Sequence, residues 1–285
     1  MNSRTIFPKH APIVASTVAA VLLMFGSSAS AAAVATVPLA TASNYAVLGG
    51  STVTNTGSST LHGDLGLSPG SSITGFPPGL VVAPATTNAT NAAAAQAQSD
   101  LTTAYLNAAG RSITATTTAD LANSTLQPGV YSGPSKSPLS LTGPLTLDAA
   151  GDPNAVFILQ TDSTLITGSG STVNLINGAQ ECHVFWQVGS SATLGTGSTF
   201  RGNILALTSI TVTTGVTVHG RALARNGAVT LDTDTFVAPT CTLASIPATG
   251  QPVGTSLLLA VGTLAVGVGL TQLTRRGSSP RNVRH

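Results

Sequence analysis

Apolar and polar positions repeat every 18 residues in the last third of the chain. Residues 190–207 read SSATLGTGSTFRGNILAL, residues 208–225 read TSITVTTGVTVHGRALAR, and the segment from residue 226 reads NGAVTLDTDTFVAP. Equivalent positions carry threonine or an apolar residue, in the sets Thr193 and Thr211; Thr196 and Thr214; Thr199, Thr217 and Thr235; Ala192, Ile210 and Ala228; Phe200, Val218 and Phe236. Such columns are typical of a solenoid, in which each repeat is one coil stacked on the previous coil. Roughly 18 residues accommodate three short strands and three corners, so the period predicts a mainly β protein with a three-sided β-helix.

A helical pattern interrupts the strand-like segments. Residues 87–109 are rich in alanine, contain neither glycine nor proline, and end before Gly110. This pattern predicts one long α-helix. Helical spacing places one set of residues on a common face, namely Ala97, Leu101, Ala104, Tyr105 and Ala108. Because strand-like segments occur before and after the helix, we expect an interrupted solenoid with the helix packed along one side.

The composition favours thin β layers and argues against nucleic acid as a partner. Charged residues make up 7% of the chain and aromatic residues 4%. A core of large rings is therefore excluded, whereas small β-forming residues can pack in layers. The terminal segments hold six of the 11 basic residues, so the middle of the chain carries five basic and nine acidic residues. Proteins that bind nucleic acid need clustered Lys and Arg, which this middle region lacks.

Both ends of the chain carry targeting patterns. Residues 1–33 combine Arg4 and Lys9 with an apolar run and small residues, which is typical of a secretory signal peptide. Residues 253–274 are largely apolar and uncharged, and are long enough to cross a hydrocarbon core of ~30 Å as a transmembrane helix. The basic residues of segment 275–285 favour a cytoplasmic tail. We therefore expect residues 34–243 to form an exported domain.

A sorting motif lies in the predicted linker, residues 244–252. Ile246, Pro247, Ala248, Thr249 and Gly250 resemble the LPxTG signal of Gram-positive surface proteins, in which a sortase cuts between Thr and Gly. The isoleucine stands where that signal has leucine. The resemblance implies sortase and the cell wall as partners, and a cell-wall-anchored or membrane-anchored location on a Gram-positive-type bacterium. The alternative is a plain membrane anchor that follows a proline-containing linker.

Cys182 and Cys241 are the two cysteines of the chain. An even number in an exported domain favours a disulfide. Counting coils at the repeat length places the two residues three coils apart, or ~14 Å at the usual strand spacing. This distance is larger than a disulfide spans. We therefore expect the segment after Phe236 to leave its coil and run back, which Pro239 permits.

Two patterns associated with hydrolysis lack the context that the chemistry needs. Gly66, Ser68 and Gly70 match the G-x-S-x-G pattern of nucleophile elbows, but the flanking residues predict a plain turn rather than a strand–elbow–helix. Asp232 and Asp234 are the closest match to the carboxylate pair of β-helical polysaccharide lyases or hydrolases. They stand without the additional acidic and basic residues of such sites. The sequence predicts no enzyme activity and no cofactor.

Candidate metal ligands are scattered along the chain. His62, His183 and His219 lack the spacing of zinc sites, and each is expected to be a surface or corner residue. Asp148 and Asp152 flank a Gly-Asp-Pro-Asn segment, which favours a turn over a calcium site. We therefore predict no metal site.

Several motifs together resemble the microbial ice-binding (antifreeze) proteins. In chain order they are LGLSPGSSITGFPPG, the alanine-rich helix, LANSTLQPGVYS, DPNAVFILQ, VFWQVGSSATLGTGSTF, GNILA and HGRALARNGAVTL, within residues 44–241. The resemblance implies a discontinuous right-handed β-helix of triangular section with one long helix alongside. It also implies that one flat face binds ice, or an ordered water surface.

Members of that family use a T-A/G-x-T/N motif on the ice-binding face. Two segments match it one coil apart, residues 196–199 and 214–217, whereas residues 232–235 of the next coil read DTDT. The candidate ice-binding residues are Thr193, Thr196, Thr199, Thr211, Thr213, Thr214, Thr217 and Thr235. β-Branching restricts the χ1 angle of threonine, so such an array is ordered before it binds. We therefore predict a cell-surface protein for ice adhesion or recrystallisation inhibition; the alternative is a structural surface adhesin on the same scaffold that binds glycan or protein.

Overall fold

The computed structural model of the protein describes residues 34–241. The predicted signal peptide, sorting motif, membrane span and basic tail lie outside these residues, and within them no helix is long and apolar enough to cross a membrane. Helix α1 is Ala92–Ala109, and three short 3-10 helices are Ala40–Asn44, Pro134–Lys136 and Glu181–His183. The first 11 strands are β1 (Tyr45–Gly49), β2 (Thr52–Thr56), β3 (Thr60–His62), β4 (Asp64–Leu67), β5 (Ser72–Thr74), β6 (Leu80–Val81), β7 (Thr87–Ala89), β8 (Ala115–Thr116), β9 (Thr125–Leu126), β10 (Gly129–Ser132) and β11 (Leu139–Leu141). The other 11 are β12 (Pro144–Asp148), β13 (Phe157–Thr161), β14 (Leu165–Thr167), β15 (Thr172–Ile176), β16 (Val184–Val188), β17 (Ala192–Leu194), β18 (Thr199–Ala206), β19 (Ile210–Val212), β20 (Thr217–Ala224), β21 (Val229–Asp232) and β22 (Thr235–Val237).

The strands form one 15-stranded and one seven-stranded sheet, and the paired strands run parallel. The seven-stranded sheet has the order β11-β14-β17-β19-β21-β2-β5. The 15-stranded sheet consists of two ladders that share the long strands β18 and β20. The helix ladder has the order β7-β4-β1-β20-β18-β16-β13-β10-β8, and the open ladder has the order β6-β3-β22-β20-β18-β15-β12-β9.

The order in which the coils stack differs from their order in the chain. The coil made of β1, β2 and β3 pairs with β20, β21 and β22, which belong to the last coil of the described chain. Helix α1 then takes the chain to the opposite end of the stack, where β8 pairs with β10. Within residues 34–241 the protein is therefore mainly β with one α-helix, and the N-terminal coils of this part stack on its C-terminal coil.

Apolar side chains fill the space between the ladders. Phe157, Trp186, Phe200 and Phe236 are all buried in one continuous cluster. The rings of Trp186 and Phe200 lie 5.0 Å apart. The remaining positions are mostly Leu, Val, Ile and Ala. The expectation that the core would lack large rings and clustered leucines was therefore wrong, because the few rings of the chain are concentrated inside the stack.

The helix begins later than the predicted span of residues 87–109. Thr87–Ala89 forms strand β7, whose pairing with β4 satisfies its backbone groups. The side chain of Asn91 accepts a hydrogen bond from Ala94 N and so caps the first turn. Helix α1 therefore has 18 residues, or ~27 Å at the usual rise per residue.

The buried face of helix α1 packs on the helix ladder. The five residues predicted to share this face are buried, and Ala94 joins them. They contact outward side chains of the ladder, namely Leu48, Ile158, Phe185, Leu205 and Leu223. The helix ladder is thus covered on its outer side, which removes much of it from the surface available to a partner.

We expect Leu101→Ala to lower the free energy of unfolding by about 2–5 kcal/mol, because the buried side chain leaves a cavity between helix and ladder. Leu106→Ala is the matched control, since Leu106 lies on the same helix with 59% of its surface exposed. Denaturant unfolding of both variants measures the difference. Equal destabilisation by the two substitutions would contradict the packing described.

Candidate functional site

A column of outward side chains, six of them hydroxyl-bearing and one an isoleucine, runs across the seven-stranded sheet. One residue from each strand contributes, and backbone pairing holds neighbouring residues in register. In stacking order the column is Ser140, Ile166, Thr193, Thr211, Thr230, Thr54 and Thr74. Five consecutive strands thus present threonine. At ~4.8 Å between strands, these five threonines span ~19 Å.

The alternation of each strand explains why the column faces outward. In β17, Ala192 and Leu194 are buried and Thr193 between them is partly exposed. The same alternation places Thr211 between buried Ile210 and Val212 in β19. Side chains on a strand point alternately to the two faces of a sheet, so the apolar neighbours fix the threonines on the outer face.

The outer face of this sheet carries mostly small side chains and is nearly uncharged. The outward positions beside the column carry short side chains, including Ser191, Ser209, Thr52 and Thr56. Hydroxyls also meet across strands, since Thr54 Oγ1 donates to Thr230 Oγ1 at 3.3 Å. Within the seven strands described, the single charged residue is Asp232. The face therefore offers a regular array of methyl and hydroxyl groups.

Asp232 lies at the rim of this face, where β21 ends. It pairs with Thr56 in the neighbouring strand. Its carboxylate accepts hydrogen bonds from Thr214 Oγ1 at 2.5 Å and from Thr233 Oγ1 at 3.1 Å. Two hydroxyl groups that would otherwise donate to solvent therefore donate to this carboxylate.

The threonines predicted as one ice-binding set lie in two different sheets. Thr193 and Thr211 belong to the seven-stranded sheet. Thr199, Thr217 and Thr235 form a separate column in the open ladder, with Thr172 before them and Thr60 after them.

The remaining predicted threonines lie between the sheets. Thr196, Thr213 and Thr214 are in the connections that lead from the seven-stranded sheet to the open ladder. Thr196 Oγ1 and Thr213 Oγ1 are 3.2 Å apart and share a hydrogen bond. Each T-G-x-T segment therefore spans the corner between the seven-stranded sheet and the open ladder. The residues of one motif do not lie together on one flat face.

The open ladder differs from the seven-stranded sheet in charge. Beside its threonine column runs a second outward column of Arg201, His219, Val237 and His62. Arg201 pairs with Glu181. This ladder therefore combines a single row of threonines with cationic and imidazole groups.

Three threonines of the column, Thr230, Thr54 and Thr74, are missing from the predicted set. Ile210 pairs with Val229 rather than with Ala228, so the step between these coils is 19 residues at this point and Thr230 is the partner of Thr211. Thr54 and Thr74 come from the N-terminal coils, whose strands have no recognisable 18-residue spacing. A search for Thr flanked by apolar residues would have found Thr230, but not Thr54 or Thr74, which are followed by Asn55 and Gly75.

Asp234, which with Asp232 is the closest match to a carboxylate pair in the sequence, does not face solvent. It is 1% exposed, and its carboxyl group accepts hydrogen bonds from the backbone N–H groups of Val216 and Asp232. Asp234 N donates to Ser59 Oγ at 2.9 Å, which links this coil to the N-terminal coil. Burial is the main cause that raises the pKa of Asp234 to about 7, while the two backbone hydrogen bonds act in the opposite direction. Asp234 therefore stabilises the turn between β21 and β22 through these hydrogen bonds. The two aspartates form no exposed carboxylate pair.

The end of the described chain is fastened to the middle of the stack. After Val237 the chain leaves the open ladder, and Cys241 forms a disulfide with Cys182, with a Cα–Cα distance of 5.8 Å. Beside it, the buried guanidinium of Arg221 donates to Ser43 O, Asn203 Oδ1 and Pro239 O at 2.7–3.0 Å. Arg221 thus joins the N-terminal segment, the last coil and the returning segment.

The G-x-S-x-G segment has no nucleophile elbow. Ser68 is 9% exposed and follows β4. The next element in the chain is strand β5, whereas a nucleophile elbow leads into a helix. This serine is therefore part of a turn between coils.

Comparison with known proteins identifies relatives over most of the described chain. A family model described as Ice-binding-like matches residues 47–237. The chain is 55% identical over 212 residues to the ice-binding protein of Nostoc sp. (strain HG1), covering 74% of this chain and 76% of that protein. It is 33% identical over 219 residues to the ice-binding protein of Flavobacterium frigoris (strain PS1), covering 71% and 76%. Two crystal structures are similar: an ice-binding protein from an Antarctic biological consortium (TM-score 0.71, 47% identity, 74% of this chain and 95% of that chain) and one from Antarctomyces psychrotrophicus (0.69, 39%, 72% and 99%).

Proposed function

Because the chain belongs to the ice-binding-like family, we propose that it binds ice through the outer face of the seven-stranded sheet. The main support for the proposal is the column of five threonines, which backbone pairing holds in register. The strands of this sheet contain a single charged residue. Homologous proteins that bind ice support the ligand, and the column supports the location.

The other surfaces of the stack fit ice less well. We propose that the three strand arrays are the three sides of a right-handed β-helix. Helix α1 covers much of one side, and the open ladder carries Arg201 and His219 beside its threonines. The seven-stranded sheet is the remaining side, and its outward strand side chains are short apart from Ile166, which is 51% exposed.

The chemistry of threonine suits a crystalline water surface. Its hydroxyl can hydrogen-bond to water, while its methyl group keeps the hydration weaker than that of a charge. Neighbouring strands repeat at ~4.8 Å and alternate residues along a strand at ~7 Å, which gives a two-dimensional grid. Each contact is weak, so affinity depends on many contacts made at once, and a rigid sheet lowers the entropy cost of making them.

We propose that the protein acts at the cell surface. The signal-peptide pattern, the sorting motif and the apolar segment near the C-terminus support export followed by attachment through sortase or by the membrane segment itself. An attached ice-binding domain holds a cell against ice or limits recrystallisation nearby. No catalytic step or cofactor enters this proposal.

A glycan-binding adhesin on the same scaffold is the second candidate. Sugar-binding surfaces commonly offer exposed aromatic rings for stacking. The one tryptophan, Trp186, is buried, packs on Phe200 and donates its indole N–H to Arg201 O at 3.0 Å. The single tryptophan is therefore unavailable to a sugar, and ice remains the better-supported ligand.

Thermal hysteresis and ice recrystallisation inhibition by the purified protein test the proposal directly. We expect both activities, and we expect fluorescently labelled protein to concentrate on a growing ice crystal. A folded protein that shows neither activity and does not adsorb to ice would overturn the ice-binding role. A glycan array and a cell-adhesion assay would then test the second candidate.

We expect Asp232→Thr to raise recrystallisation inhibition above that of the wild type. The substitution removes the charge from the face, frees the hydroxyls of Thr214 and Thr233, and places a threonine beside Thr56. Asp232→Asn is the matched control, because it removes the charge without adding a methyl group. A loss of activity in both variants, with unchanged stability, would show that the carboxylate contributes to binding.

A further inference from the structure

Three side chains of metal-ligand type meet where the end of the described chain is fastened. Sulfur and imidazole nitrogen atoms of Cys182, His183 and Cys241 lie within 4.8 Å of one another. His183 Nε2 is 3.4 Å from Cys241 Sγ. In the structure the two cysteines form a disulfide, so their sulfur atoms are not free to bind a metal ion.

The geometry matches a thiolate–imidazole zinc site once the disulfide is opened. Zinc binds thiolate sulfur at ~2.3 Å and imidazole nitrogen at ~2.0–2.1 Å in a tetrahedral arrangement, which separates sulfur from nitrogen by ~3.5 Å. The observed distance between Cys241 Sγ and His183 Nε2 is 3.4 Å. Two thiolates on one tetrahedral zinc ion lie ~3.8 Å apart. The Cα–Cα distance of 5.8 Å between the cysteines leaves room for this separation by side-chain rotation.

The surroundings of the three residues allow an ion to enter. An open cavity of ≈ 540 Å³ is lined by all three, and also by Thr36, Phe185 and Arg221. A Zn²⁺ ion bound by two thiolates and one neutral imidazole carries no net charge, so the guanidinium nearby does not repel it. Glu181, the residue before Cys182, is engaged by Arg201 and does not compete as a ligand. Water from the cavity can complete the tetrahedron.

We propose that Cys182, His183 and Cys241 form a zinc site in the reduced protein, so that the same residues fasten the returning segment in both redox states. Reduction by a phosphine breaks the S–S bond: the phosphine loses two electrons and takes oxygen from water to become its oxide, and the two sulfurs become thiols. Binding of Zn²⁺ then releases the two thiol protons to solvent, without electron transfer. This inference goes beyond ice binding and does not depend on it.

The purified protein, reduced with a phosphine and transferred to metal-free buffer, tests the site with Co²⁺ as the spectroscopic probe. We expect a thiolate-to-cobalt charge-transfer band in the reduced protein, its absence in the oxidised protein, and its loss on addition of Zn²⁺. His183→Ala should keep the disulfide and weaken Zn²⁺ binding by about 10-fold or more. His219→Ala, which removes a histidine on the open ladder, should bind Zn²⁺ as the wild type does.

Thermal unfolding supplies a second readout that does not depend on the colour of cobalt. Zn²⁺ should raise the Tm of the reduced wild type and leave the Tm of the oxidised protein unchanged. The proposal is overturned if the reduced protein gives no charge-transfer band, if His183→Ala binds Zn²⁺ as tightly as the wild type, or if Zn²⁺ does not stabilise the reduced form.

Discussion

Replacing both Thr211 and Thr54 with tyrosine is expected to abolish thermal hysteresis and to reduce recrystallisation inhibition by about 10-fold or more. In the column these two residues lie on either side of Thr230. Two rings at these places leave no two neighbouring strands with intact threonines. They also rise above the short side chains of the face, so a flat crystal surface cannot touch several rows at once. Thermal hysteresis and recrystallisation assays on the folded variant measure the effect.

The matched control places the same rings on the open ladder. Thr217→Tyr with Thr60→Tyr changes two threonines that are also separated by one strand of their column. We expect this variant to keep most of the wild-type activity, because its column is bordered by Arg201 and His219 rather than by short side chains. The opposite result, with activity lost only in the control, would move the ice-binding site to the open ladder. Circular dichroism establishes that both variants remain folded.

Arg221→Met is expected to cause the largest loss of stability, about 3–5 kcal/mol. Arg221 is 6% exposed, and burial lowers its pKa to about 10, so it remains charged at neutral pH. Its hydrogen bonds go to two backbone carbonyls and the Asn203 amide. Methionine fills similar space but leaves these acceptors without a donor, and each unsatisfied buried group costs about 1–3 kcal/mol. For a protein of this size the Tm should fall by roughly 10 °C.

Lys136→Met provides the comparison for Arg221→Met. Lys136 Nζ lies 3.4 Å from Asp162 Oδ1 in a pair that is largely solvated. Such pairs contribute about 0–1 kcal/mol, so this variant should unfold close to the wild type. Equal effects of the lysine and arginine substitutions would show that Arg221 does not join the segments around it.

Local patterns in the sequence predicted much of the fold. The period from Ser190 onward aligned Thr199, Thr217 and Thr235 as the structure does. The spacing of Leu101 and Tyr105 identified the buried face of helix α1. Both predictions rest on periodicities between residues close in the chain, about 2 in a strand and 3.6 in a helix. The start of the helix was not predicted correctly, because the pairing of Thr87–Ala89 with strand β4 is not visible in a local periodicity.

The candidate site depended on information that local patterns do not contain. Every strand edge offers the same backbone donors and acceptors, so local sequence patterns do not show which distant strand will pair with a given edge. The structure stacks the N-terminal coils on the last coil and brings Thr54 within hydrogen-bond distance of Thr230, 176 residues away. A one-residue shift between β19 and β21 then places Thr230 beside Thr211. The sequence by itself determined that threonines would lie in rows on a β stack. The tertiary structure alone decided which rows join into an uncharged face, because that depends on how coils far apart in the chain pair.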